Sequence, residues 1–149
     1  MTDEFSGSVG PVDYPVLRQI RDLLLEEEPL VDSVGFDDPV NPTELVVEFT
    51  TGLDTPGRFE ITWWASGAYR FHYTESSGFD FRFDNHPKDS APDAHFHPPP
   101  DAGRAQPSFL TGVVQPQIVT RAILSRWRRA IVDDSGLETL NLDGDGADT

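Results

Sequence analysis

Three segments of the chain alternate apolar and polar side chains with a period of two, and that pattern permits little besides β-structure. Residues 58–64 set Phe59, Ile61 and Trp63 against Glu60, Thr62 and Trp64; residues 69–73 set Tyr69, Phe71 and Tyr73 against Arg70 and His72; residues 79–84 set Phe79, Phe81 and Phe83 against Asp80, Arg82 and Asp84. A period of two sends successive side chains to opposite faces of a strand, whereas a helix repeats every 3.6 residues. Residues 44–50, rich in Val and Phe, and residues 30–36 read as two further strands. Turn-forming stretches, DTPG at 54–57, SG at 66–67 and SSG at 76–78, separate the segments. The pattern predicts an antiparallel meander of about five strands with one apolar face.

Helical spacing occurs only at the two ends. Asp13 can cap a helix opening at Pro15, with Val16, Leu17, Ile20, Leu23 and Leu24 on one stripe and Pro29 as its stop. A second helix opens at Gln115 and Pro116, with Ile118, Val119, Ala122, Ile123, Trp127 and Ile131 as its buried stripe. The fold class is therefore α+β, the meander packing against an N-terminal and a C-terminal helix. Residues 13–132 form one domain between a flexible N-terminus (1–12) and an acidic, disordered tail (133–149). The tail's DGDGAD lacks the twelfth-position glutamate of a calcium loop. Residues 85–116, with seven prolines, read as a long irregular loop.

Charge matters here because of where it sits. The formal net charge is -15, from 26 acids and 11 bases, and Lys88 is the only lysine. Such a balance suits a high-salt cytoplasm, where screening shortens to about 3 Å at molar salt. Residues 1–57 hold 13 acids and 2 bases, residues 58–132 hold 7 acids and 9 bases, and residues 133–149 hold 6 acids and no base. The middle is thus locally basic. With no cysteine there is no disulfide and no thiolate ligand. No apolar run has a membrane span's length, and the acidic start lacks a secretion signal, so the expected location is cytoplasmic.

All four histidines, His72, His86, His95 and His97, fall within that basic middle, together with Arg70, Arg82, Asp84, Asn85 and Lys88. Imidazole can move protons near neutrality, and guanidinium grips phosphate with two donors. Arg70 and His72 share a face of one strand; Asp80, Arg82 and Asp84 share a face of the next. Pairing Phe71 with Phe81 would set His72 opposite Asp80 and Arg70 opposite Arg82. His95 and His97 point the same way if their segment is extended. The arginines of the second helix, Arg121, Arg126, Arg128 and Arg129, offer either a phosphate-binding stripe or a solvated face. Trp63 and Trp64 read as core.

The run Tyr69-Arg70-Phe71-His72-Tyr73, the segment Phe81-Arg82-Phe83-Asp84-Asn85-His86-Pro87 and the later His95-Phe96-His97 resemble the TumE family over about residues 58–132. The specific part is the Arg-x-Asp-Asn strand end. The family tends to place a histidine after the turn proline, whereas here Pro87 is followed by Lys88 and Asp89. The resemblance implies a growth-inhibiting toxin with a cognate antitoxin, a helix-turn-helix protein encoded beside it. An RNA-directed, ribonuclease-like activity fits the chemistry. His72 or His97 would be base or acid, Asp84 would orient a histidine, and Arg70 and Arg82 would clamp phosphate. Asn85 would hold the turn, with His86 and His95 beside the substrate. No cofactor and no metal ligand is assigned. Two other readings stand beside this one: a non-catalytic interaction protein, and a metal-dependent hydrolase at the histidine cluster.

Overall fold

The computed structural model of the chain describes residues 10–85, 94–133 and 140–141. In chain order these form helix α1 (Tyr14–Glu27), strands β1 (Val31–Phe36), β2 (Leu45–Phe49), β3 (Gly57–Trp63), β4 (Tyr69–Glu75), β5 (Asp80–Asn85), β6 (Ala94–His97) and β7 (Gln106–Pro107), and helix α2 (Pro116–Val132). The strands make one seven-stranded antiparallel sheet in sequence order. Two strands exceed the expected five. Both β6 and β7 lie in the proline-rich stretch, where four residues and two residues are too short to show a period. Pairing with β5 makes them strands.

The helices form where capping and periodicity place them. The Asp13 carboxylate accepts from the Val16 N–H at 3.2 Å, Pro15 occupies the first turn, and Leu17, Ile20, Leu23 and Leu24 are buried. Helix α2 turns a slightly different face inward from the one expected. Val119, Thr120, Ile123, Leu124, Trp127 and Ala130 are buried, while Ile118 is half exposed. The stripe follows the faces that meet α1 and the sheet, and Ile118 lies off them. Both helices cover the same side of the sheet. There Phe59, Phe71, Tyr73, Phe81 and Trp127 are fully buried in one cluster. Tyr73 stacks on Phe81 with ring centroids 4.8 Å apart.

The β4–β5 register differs from the expected one by two residues. Phe71 pairs with Phe83, His72 with Arg82 and Arg70 with Asp84. The turn explains the shift. The Glu75 N–H donates to the Phe79 carbonyl at 3.0 Å, leaving Ser76, Ser77 and Gly78 as the loop, and Gly78 takes φ +112°. Pairing Phe71 with Phe81 would draw Gly78 into the ladder and force a non-glycine residue through that bend. The observed register also keeps Arg70 from facing Arg82.

Candidate functional site

The face of the sheet away from the helices is a charged lattice. Antiparallel registers align its side chains in rungs. One rung runs Glu60, His72, Arg82, His97; the next runs Thr62, Arg70, Asp84, His95. Opposite charges alternate along β5 at Asp80, Arg82 and Asp84, and Arg70 faces Asp84 across the strands, whereas Arg82 stands between His72 and His97. The His72 Nε2 lies 2.6 Å from Asp80 Oδ1, its diagonal neighbour. Arg58 bonds Glu60 at 2.6 Å.

At the β5–β6 junction the lattice becomes a connected chain. Arg82 Nε donates to Asp84 Oδ2 at 2.8 Å, and Asp84 is only 2% exposed. Arg82 Nη2 meets His97 Nε2 at 3.1 Å. His97 Nδ1 lies 2.9 Å from the Gly103 carbonyl. A carbonyl only accepts and a guanidinium only donates, so the bonding assigns the ring proton to Nδ1 and leaves the lone pair on Nε2. The proline-rich connection folds back to supply that carbonyl. Gly103 N–H returns to the Pro98 carbonyl at 2.9 Å, and Ala102 N–H donates to the Asp80 carbonyl at 2.7 Å.

Of the residues singled out in the sequence, His72, Arg70, Arg82, Asp84, His95 and His97 thus come together on one face. Asp84 bonds Arg82 and lies 3.7 Å from His97, and Asp80 bonds His72. Asn85 ends β5 opposite Tyr69 and Ala94. His86 lies outside the described residues. Trp64 is half-buried on the polar side, with the Arg70 guanidinium 5.8 Å from its ring centroid, whereas Trp63 is core.

Two carboxylates of this face escaped the sequence reading. Glu60 shares a rung with His72. Glu44 has its carboxyl raised by burial and by repulsion from Glu60 and Asp37, partly offset by Arg70 and Arg58. In a chain with 26 acids, a carboxylate carries no signal until the register places it.

A cleft of about 510 Å³ opens on the same side, with Asp32, Glu48, Arg58, Glu60 and Thr74 among its walls. Three of the four arginines of α2 are engaged elsewhere. Arg121 pairs with Glu27, Arg128 with Glu28, and the Arg126 guanidinium sits 3.8 Å from the Phe109 ring centroid. Among the described residues no group of three His, Asp or Glu side chains is placed to hold a metal ion, and no helix is long and apolar enough to cross a membrane.

No curated protein and no solved structure matches the chain. A family model described as toxin TumE matches residues 20–131 and so takes in most of α1 and the first two strands, beyond the span legible in the motifs. The chain belongs to the TumE toxin family.

Proposed function

We propose that this toxin acts on RNA, and that the rung His72–Arg82–His97 is the site of phosphodiester cleavage. The carrying observation is the chain of bonds from Gly103 through His97 and Arg82 to Asp84, which points an unprotonated imidazole nitrogen at a guanidinium. Arg82 is the phosphate clamp. A phosphate arriving there competes for the Nη2 donor and releases His97 Nε2 to act as a base. His72 stands on the far side of Arg82, two strand spacings from His97, or about 10 Å between backbones.

The chemistry balances without a further reactant. His97 Nε2 takes the proton of the ribose 2′-hydroxyl as that oxygen attacks phosphorus. The bond from phosphorus to the 5′-oxygen breaks, and His72 Nδ1 gives that oxygen its proton. Asp80, bonded to Nε2, stabilises the imidazolium that donates it. Arg70 and Arg82 offset charge growing on the phosphorane. Products are a 2′,3′-cyclic phosphate and a 5′-hydroxyl, so a 2′-deoxy strand is not cut. Growth inhibition follows from loss of RNA, and the antitoxin that the toxin family implies would relieve it. We include in this reading a cytoplasmic site of action and a helix-turn-helix antitoxin.

The test is cleavage of single-stranded RNA by the purified chain in excess chelator, with product ends read by mass spectrometry. Cyclic phosphate ends that vanish in His97→Ala and fall at least about 100-fold in His72→Ala support the site. Intact RNA with the folded parent chain, or undiminished growth inhibition by a folded His97→Ala variant, removes it.

A further inference from the structure

The two edges of the sheet are finished differently. At β7 the Asn141 carboxamide takes the place of a neighbouring strand. Its Nδ2 donates to the Pro107 carbonyl at 2.8 Å, and its Oδ1 accepts from the Phe109 N–H at 2.8 Å. Leu140 beside it is fully buried. That edge is closed to another chain.

The β1 edge carries no such cover among the described residues. The Asp37 N–H bonds the Glu44 carbonyl, so the alternation of an antiparallel ladder turns Ser33 and Gly35 toward β2. Val34 and Phe36 therefore point their N–H and C=O groups outward. A row of outward backbone groups is a template for one more strand.

We propose that β1 takes an added strand from a basic, extended segment of a partner polypeptide, with one of its cationic side chains seated in the acidic cleft beside the edge. Charge selects this occupant. The cleft begins at Asp32, the bulge residue of β1, and continues through Glu48 to Glu60 and Glu75; among its described lining residues Arg58 is the one base, paired with Glu60 and Glu48, so four carboxylates stand against one cation. Residues 1–57 as a whole carry 13 acids against 2 bases. A second copy would bring the same carboxylates edge to edge, and a nucleic acid would bring phosphates; both are repelled. A lysine or arginine is attracted, and it would lie one strand from His72, because Glu60 is the cross-strand partner of His72. The antitoxin of a toxin family is the natural bearer of such a segment. The inference rests on that family and on the edge geometry, and is independent of RNA cleavage.

The test uses the full chain, labelled for amide exchange, and a short synthetic peptide alternating lysine and valine. A glutamate–valine peptide is its counterpart. The expected result is binding of the lysine peptide alone, weakened by added salt, with exchange at Val34 and Phe36 slowed about tenfold. Two variants sharpen it. Val34→Pro removes an outward N–H, which an edge strand tolerates, and Asp32→Arg reverses an exposed charge. Each is expected to weaken binding about tenfold while leaving the fold intact. Failure of the parent chain to bind overturns the proposal. So do protection at Phe109 in place of β1, self-association through β1 in sedimentation, and unweakened binding by Asp32→Arg. Should Val34→Pro not fold, Asp32→Arg decides alone.

Discussion

Strand β4 shows both halves of the molecule in seven residues. Tyr69, Phe71 and Tyr73 are fully buried, while Arg70, His72 and Thr74, each one residue away, keep partial contact with solvent. The inner side is held by volume: rings meet rings, and any large apolar side chain of similar shape satisfies most of the need. The outer side is held by partner identity. His72 needs Asp80, and Arg82 needs both Asp84 and His97, so a shift of two residues rewires the face while leaving the core apolar. The face that tolerates substitution chemically is the one that cannot tolerate lost volume; the face that tolerates lost volume is the one whose chemistry is specific.

That contrast can be broken most forcefully from inside. Phe71→Ala empties a fully buried ring site, and chemical denaturation should show a loss of about 3–5 kcal/mol. A loss below 1 kcal/mol would mean the aromatic cluster is not what holds the sheet to the helices.

Glu75 is an exception to the division: a carboxylate on the inner side of β4. It accepts from the backbone N–H groups of Leu53, Asp54 and Thr55 at 2.5–2.9 Å and from the Tyr73 hydroxyl. Burial alone would raise its carboxyl, but these donors outweigh burial and hold it below the ordinary range. Glu75→Ala leaves several donors without an acceptor, and melting should report a loss of about 1–3 kcal/mol. An unchanged melt would show that the 51–56 loop finds other acceptors.

Acid sharpens the comparison with a group on the far rim. Burial alone would raise the Asp37 carboxyl, yet hydrogen bonds from the Thr43 hydroxyl and from the N–H groups of Glu44, Thr43 and Asp38 lower it from 3.8 to about 2. A lowered folded value means the stabilisation is complete above about pH 4 and fades as pH falls toward 2. Asp37→Asn should flatten that part of the acid-denaturation curve modestly; an identical curve would count against the carboxylate knot joining β1 to β2. The smallest effect on stability belongs to the outer face. His72→Ala should leave the unfolding free energy within about 0.5 kcal/mol of the parent while abolishing most of the proposed RNA cleavage. A large loss of stability would make His72–Asp80 a structural pair.

Much of the architecture was legible because it depends on local rules. The Asp13 cap, the helix stop at Pro29, the core side of β3, β4 and β5 and the family resemblance all follow from residues near one another in sequence. Strands β6 and β7 were not legible, since His95-Phe96-His97 becomes a strand only by pairing with β5. The exposure of Ile118 was not legible either, because it depends on where α1 lies. The expected register set Asp80 directly opposite His72; in the observed one Asp80 is its diagonal neighbour and still bonds it.

The sequence by itself determined which side chains of each central strand would face the core, since a period of two admits one burial pattern. It also determined that histidine and arginine would share the opposite face. Only the tertiary structure decided which of them meet. Cross-strand neighbours are set by the turn at Gly78 and by the return of Gly103 onto His97, and these contacts join residues whose separation along the chain leaves no periodic trace.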